Sequence, residues 1–389
     1  MPPRILAFTT LYPNPRAPFD GLFVRARLEA MARHAPVHAL IPVLWRPGSS
    51  PTANNGFYRS VHRHDQLAVS YRRFFNVPRY GKRWDARLMA ASVRRTFREL
   101  VAQVQPDVID AHWGYPDGVA AAILARECGV PYAITVRGDD LNVFLDTPAR
   151  SGQIVDALQG AHRVIGVCAD LTRTAESVGV DPKRTAVVPN GVDADLFRPV
   201  ERDVARSDLG IDADTPLIVS VGRLSREKGY ELIFDAMARL DGSGGPRTHL
   251  AIVGKRGKDR AYEDELEVQA RALGLQDRVH LPGPAPQADL SKWFSAADVS
   301  CLASTREGWP NVILESLASG CPVVAARVGG VPEVLTDPAV GLVFDRTVAD
   351  LTSALQSALT ATWDRNRIRT YAEERSWDEC ARRCIDVLR

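Results

Sequence analysis

The 389-residue sequence has no apolar run approaching the ~20 residues of a membrane-spanning helix. Residues 1–10 carry a single Arg and then a short β-type run, so a secretory signal peptide is not expected. Cysteine is sparse and scattered, at Cys128, Cys168, Cys301, Cys321, Cys380 and Cys384, with no C-x-x-C pair. That spacing argues against structural zinc and against a disulfide framework. Cys380 and Cys384 stand four apart in a helical pattern, and all six thiols are expected to be reduced, in the cytoplasm. There is no Walker A loop and no G-x-G-x-x-G, which argues against an NTPase or a dehydrogenase. No D-x-D follows a strand in the second half, so a clustered acidic metal site is not expected either.

What is present is an ordinary globular composition, 45% hydrophobic and 25% charged. The net charge of +2 is unevenly spread: residues 1–198 carry +7 and residues 199–389 carry −5. A basic first half suits an anionic substrate or surface.

Short β-branched runs alternate with helical patterns in both halves. Val93, Phe97, Leu100, Val101 and Val104, for example, share one helix face. Six strands are expected in each half, from Ile5–Thr9 to Thr185–Val188 and from Leu217–Val221 to Gly341–Phe344. Nearly continuous apolar strands between helices mean parallel sheets covered on both faces. The reading is an α/β chain of two doubly wound, Rossmann-like domains. The first is expected over 1–198 and the second over 199–375, with a terminal helix over 376–389. Ligands in such sheets bind beyond the carboxyl ends of strands, so the site is expected in a cleft between the domains.

The stretch Arg306-Glu307-Gly308-Trp309-Pro310-Asn311-Val312-Ile313-Leu314-Glu315 follows one such strand, Val299–Leu302. Pro310 suits a helix start and Gly320 with Pro322 a helix stop. One carboxylate then lies in the loop above a helix N-terminus and the other on the second turn. Free N–H groups there favour an anion. Two acids beside a phosphate-attracting helix end make sense if they accept hydrogen bonds from sugar hydroxyls, as in a nucleotide-sugar pocket.

Four other strand ends in the second half carry ligand-compatible turns. Gly222-Arg223 to Lys228-Gly229 offers two cations for a diphosphate. Gly254-Lys255 and Pro282-Gly283-Pro284 permit close backbone approach, and Gly329-Gly330-Val331-Pro332-Glu333 offers backbone N–H groups.

Together with Pro189-Asn190-Gly191-Val192-Asp193, these motifs resemble the retaining GT-B glycosyltransferases of family 4. The likeness runs almost the full length and is strongest over residues 185–345. It implies that Arg223 and Lys228 hold the donor diphosphate, Glu307 the transferred sugar and Glu315 the ribose. The backbone of Gly308, Trp309, Pro310, Asn311 and Val312 would line phosphates and sugar, and the base would sit near Gly254 and Gly283. Asp20-Gly21-Leu22-Phe23 resembles the family's glycine loop facing the phosphates, with Gly21 the close-approach residue. The terminal helix would cross back onto the first domain.

His112 and the run Arg137-Gly138-Asp139-Asp140 end strands of the first half, which places His112, Arg137 and Asp139 as catalytic or acceptor candidates. By that resemblance, many relatives carry His where this chain has Arg137. Arginine stays charged and cannot act as a base, so Arg137 is expected to steady phosphate charge or grip an anionic acceptor. Tyr71–Trp84 interleaves basic and aromatic residues with no acid, and Arg87, Arg94 and Arg98 continue its charge. Arg72, Arg73, Phe74, Phe75, Lys82, Arg83 and Trp84 are therefore read either as a contact with acceptor or anionic membrane or as a packed loop with a solvated face. Nucleic acid is not expected as a partner.

The activity expected is retaining transfer of a sugar from a nucleoside diphosphate, UDP first and GDP-mannose next, to a glycan or lipid-linked acceptor. It serves polysaccharide or glycolipid synthesis, needs no metal or other cofactor, and is cytoplasmic with peripheral membrane contact. The alternatives are an epimerase of the same architecture and a non-enzymatic sugar-nucleotide or nucleic-acid binder.

Overall fold

A computed structural model describes residues 1–45, 61–77, 82–245, 247–257 and 259–389. The chain divides into two units, Met1–Asn190 with Trp377–Arg389, and Gly191–Ser376. The division falls after Asn190 rather than after residue 198. The reason is local: the Val192 N–H donates to the Arg375 carbonyl at 2.9 Å and Val192 bridges Ser376. The chain thus enters and leaves the second unit at neighbouring points.

The first unit holds β1 (Ile5–Phe8), β2 (Val37–Trp45), β3 (Val61–His64), β4 (Leu67–Phe75), β5 (Val108–His112), β6 (Tyr132–Val136), β7 (Arg163–Gly166) and β8 (Thr185–Val187). They form one sheet in the order β3-β4-β2-β1-β5-β6-β7-β8. Only β3 runs antiparallel, against β4. The sheet has eight strands, two more than expected, because β3 and β4 come from residues read as loop. β3 alternates exposed and half-buried residues, as the edge strand of a sheet does, while β4, inside it, mixes buried and half-buried ones before the exposed Phe75. Every residue of β1, β5 and β6 is buried, as strands covered on both faces require.

The terminal helix Trp377–Leu388 buries Cys380, Ala381, Cys384, Ile385 and Leu388, one stripe at helical spacing. It packs on the helix Leu22–Ala32 and joins the core of the first unit. Each large apolar side chain so buried stabilises by about 1.5–3 kcal/mol.

The second unit holds β9 (Leu217–Val221), β10 (His249–Val253), β11 (Val279–Gly283), β12 (Val299–Leu302), β13 (Val323–Ala326) and β14 (Gly341–Phe344). All pairs are parallel, in the order β11-β10-β9-β12-β13-β14. In each unit the strand order reverses once, between β1 and β5 and between β9 and β12. A reversal splays the two following loops apart and opens a crevice at the carboxyl ends of the strands.

Candidate active site

In the second unit the crevice lies between the loops after β9 and β12. Lys228 comes from the first loop and Glu307 from the second, and Lys228 Nζ lies 2.7 Å from Glu307 Oε1. Ser304 Oγ donates to the same oxygen at 2.6 Å. The Thr305 N–H donates to the Glu227 carbonyl at 2.8 Å, pinning the loops together. Arg226, two residues earlier in the same turn, points away and pairs with Asp259 and Glu265 over the Tyr262 ring. Arg223 is exposed, with no ion-pair partner among the described residues. The two expected cations are therefore held differently, one engaged by Glu307 and one open.

Glu307 is braced from behind. Gly329 has φ +48°, and a Cβ there would come within 1.7 Å of the Glu307 carbonyl oxygen. The Gly330 N–H then donates to the Gly308 carbonyl at 3.0 Å. Trp309 is buried, with its indole N–H unpartnered. Pro310 immediately precedes the helix Asn311–Ala318, whose first turn includes Val312 and whose second turn carries Glu315. Glu315 keeps some solvent contact, yet the protein around its carboxyl pushes its pKa up to about 7 by desolvation. Gly222, Gly254 and Gly283 stand side by side at the ends of β9, β10 and β11. The Gly222 N–H donates to the Val253 carbonyl and the Gly254 N–H to the Gly283 carbonyl, each at 3.0 Å.

In the first unit the crevice lies between the loops after β1 and β5. Asp117 Oδ2 accepts from the Thr10 N–H at 3.1 Å and from Thr10 Oγ1 at 2.9 Å, joining the two. Gly21 closes the β1 loop with φ +71°, and a Cβ would sit 2.3 Å from the Leu11 carbonyl group. Phe23 carries the Arg137 guanidinium over its ring at 5.1 Å. Arg137 also donates to Asn190 Oδ1 at 3.2 Å, and its Nη2 lies 2.7 Å from His112 Nδ1.

That last contact settles the His112 tautomer. Arginine only donates, so Nδ1 holds a lone pair and Nε2 the proton, 3.2 Å from Asp110 Oδ2 but without hydrogen-bond alignment. Burial lowers the His112 pKa to about 4 despite Asp110. The catalytic contact expected of His112 does not fit this place. The residue is fully buried, its Nδ1 is taken by Arg137 and its Nε2 only faces Asp110, so it orients Arg137 from below. Burial, then the charge of Arg27, pulls the Arg137 pKa down, leaving it cationic at neutral pH. Asp139 is exposed at the start of a short helix. Asp140 is buried and takes the N–H groups of Gly114, Arg137 and Gly138. Asp140 therefore meets the backbone of Arg137, not its guanidinium.

The basic aromatic segment divides. Tyr71 and Phe74 belong to β4 and are buried, so the membrane or acceptor contact expected of Phe74 is corrected: it is a core residue. Arg72 is half-buried, donating to Thr96 Oγ1 and the Tyr71 carbonyl, and Arg73 Nε is buried. Arg94 and Arg98 pair with Glu127 and do not extend a free basic stripe. Phe75, Lys82, Arg83 and Trp84 stay exposed, with Arg83 and Arg87 over the Trp84 ring. Residues 78–81 of the segment lie outside the described residues.

Sequence reading missed Ser304, two residues beyond β12, and Arg27 with Asp110. A charged residue at position 27, flanked by Val24, Leu28 and Met31 on one helix face, was the available signal for Arg27.

Two doubly wound units, each with a strand-end crevice, and a Lys–Glu pair astride one of them, define the class: a GT-B glycosyltransferase. Two family models match the chain, "Glycosyltransferase Family 4" over residues 27–196 and "Glycosyl transferases group 1" over residues 201–375. A D-inositol 3-phosphate glycosyltransferase of Frankia alni is 34% identical over 295 residues, 71% of this chain and 72% of the relative. The putative teichuronic acid biosynthesis glycosyltransferase TuaC of Bacillus subtilis is 27% identical over 345 residues, 84% of this chain and 82% of the relative. Among solved structures, sucrose-phosphate synthase from Thermosynechococcus elongatus superposes with a TM-score of 0.77 at 22% identity, covering 99% of this chain and 98% of the other. Anabaena HepE in complex with UDP and glucose gives 0.75 at 21%, covering 99% of each. The chain belongs to the group 1 glycosyltransferases, with a first unit of the family 4 type.

Proposed function

We propose that this glycosyltransferase is a retaining hexosyltransferase using a nucleoside diphosphate donor, UDP before GDP, and a glycan or lipid-linked acceptor. The carrying observation is the 2.7 Å contact of Lys228 with Glu307 across the β9–β12 reversal, beside the open Arg223. A bound diphosphate competes for Lys228 and gains Arg223. Glu307, released from Lys228, then accepts from a sugar hydroxyl. Glu315 takes the ribose hydroxyls, and the N-terminus of the helix Asn311–Ala318 faces phosphate. Solved neighbours hold UDP with glucose and UDP-2-fluoro glucose, which supports UDP.

In the transfer, the bond from the acceptor oxygen to the anomeric carbon forms as the bond from that carbon to the diphosphate oxygen breaks. The acceptor proton passes to the leaving diphosphate on the same face. The fully buried and engaged His112 supports this reading, since it offers no base. Two cations at the diphosphate supply the charge a metal otherwise would.

A second acceptor reading, a phosphorylated polyol, is favoured by the name of the Frankia relative and by the cationic Arg137. Peripheral contact with an anionic membrane is proposed through Phe75, Lys82, Arg83, Trp84 and Arg87, the exposed remainder of the basic aromatic segment.

The test is a panel of UDP, GDP and ADP sugars, read by thermal shift and by donor hydrolysis without acceptor. A UDP sugar is expected to raise stability and release UDP slowly. Stabilisation with no turnover, with or without acceptors, would leave a binding protein instead.

A further inference from the structure

Arg27 lies on the helix Leu22–Ala32 and is 0% exposed. None of its three guanidinium nitrogens makes a well-formed hydrogen bond, the Cys384 sulfur being the group that acts on them most strongly. Arginine does not shed its proton in proteins, so a full charge stands in the interior of the first unit. The second unit shows how this chain otherwise satisfies such a group. Arg206, 1% exposed, donates to the carbonyls of Ala296, Asp212, Ala213 and Thr215 and pairs with Asp298.

The groups whose charge Arg27 feels are Cys384, Cys380 and Asp110. Asp110 is the one carboxylate among them, and it also faces the His112 ring and balances Arg137. His112 is neutral by its tautomer. Asp110 stands against two guanidinium cations, and Asp140, the other buried carboxylate that feels Arg137, is already taken up by the N–H groups of Gly114, Arg137 and Gly138. The charge of Arg27 is therefore under-compensated, and a buried unpaired charge is among the costliest features a fold can carry. The remaining groups are two sulfurs on the buried stripe of the terminal helix, Cys380 Sγ and Cys384 Sγ, 3.9 Å apart.

We propose that Cys380 stands as a thiolate in the resting protein, accepts the S–H of Cys384, and is the counter-ion that fixes Arg27. Through Asp110 and His112, it is then a positioning residue for the Arg137 guanidinium. The terminal helix contributes charge as well as apolar surface to the first-unit crevice. The hydrogen bond from Cys384 and the charges of Arg27, Arg137 and Arg383 draw the Cys380 thiol below its ordinary range against burial. Burial and that same hydrogen bond push Cys384 up. One proton is thus shared by two sulfurs. A thiol held down on folding contributes stability at pH above its unfolded value, and that contribution is lost as pH falls through the folded value.

The experiment is a thiolate titration by ultraviolet absorption on the full chain, folded and in denaturant, with Cys380→Ser, Cys384→Ser and Arg27→Met beside it. One thiolate per chain is expected to persist at pH about 7, where an unperturbed cysteine of pKa about 8.5 is almost wholly thiol. It should vanish in Cys380→Ser and in denaturant, and shift upward in Cys384→Ser and in Arg27→Met. Wild-type thiolate appearing only above pH about 8.5 overturns the proposal, and this reading needs no variant to fold. For the positioning role, Cys380→Ser should lower kcat for transfer about tenfold to a hundredfold with UDP affinity unchanged. Cys380→Asp, which restores the negative charge, should recover most of the loss. An unchanged kcat and pH profile in Cys380→Ser overturns that role. The kinetic comparison presupposes the transfer reaction proposed above, whereas the titration does not, so the two can fail separately.

Discussion

In the proposed transfer the chemistry turns on Lys228 and Glu307, which pair with each other in the free protein and would part when a diphosphate arrives. Lys228→Ala and Arg223→Ala should each cost about 2–4 kcal/mol in transition-state stabilisation, the range for a lost electrostatic donor. Steady-state kinetics at saturating acceptor checks this, and kcat/KM near wild type in both variants would remove the diphosphate assignment. Glu315 makes a separate pH-dependent prediction. Folding raises its pKa, so ionising it in the free protein opposes folding. Between pH about 4.3, the ordinary Glu value, and about 7, wild type should lose up to about 3 kcal/mol relative to Glu315→Gln. Ribose hydroxyls donating to the carboxylate favour its charged form. UDP binding near pH 7 should therefore release a proton, read as a calorimetric enthalpy that depends on the buffer, and Glu315→Gln should not. Proton release persisting in Glu315→Gln would move the effect elsewhere.

At the scale of the element, the loop after β12 owes its shape to a neighbouring turn. Gly329→Ala places a methyl 1.7 Å from the Glu307 carbonyl at a φ of +48°. Both effects force the turn to shift, at about 1–3 kcal/mol of stability. Activity should fall further than stability does, since Glu307 moves with its loop; thermal melts beside kinetics would show it. Equal activity at a lowered melting point would mean that Glu307 does not need its present position. The strand-end loops of the second unit were legible in the sequence because glycine, proline and charged residues punctuate strand ends directly. The edge pair β3–β4 was not, since a strand half polar and half apolar looks like the loop it replaces. Tyr71 and Phe74 went with it: aromatic residues among arginines read as a patch, yet three apart on β4 they point to opposite faces of the sheet and both are buried.

At the scale of the whole molecule, two expectations concern what the protein needs around it. On the proposed reading, with Arg223 and Lys228 at the diphosphate, turnover in excess EDTA should equal turnover in magnesium or manganese; loss in EDTA restored by metal would refute this. Among the described residues no group of three or more metal-ligating side chains is assembled, and no helix is long and apolar enough to cross a membrane. Binding to anionic liposomes should rest on the exposed patch alone. Changing Lys82, Arg83 and Arg87 to Ser should abolish sedimentation at low salt. Each basic residue near such a surface contributes about 1 kcal/mol, screened by salt. Wild-type protein that ignores anionic liposomes at low salt would point to a soluble acceptor.

By itself the sequence determined the two parallel-sheet units, the order of their strand-end turns, and the residue types at the second-unit crevice. Those features are local: period, punctuation and charge within a few residues of each strand. The tertiary structure alone decided that Lys228 meets Glu307, that His112 is a buried support with its tautomer set by Arg137, and that Glu127 neutralises Arg94 and Arg98. It also decided that the terminal helix brings two sulfurs to the charge of Arg27. These pairings join residues from 25 to more than three hundred and fifty positions apart. Which charge meets which is set by sheet order and helix packing, and no sequence window contains that.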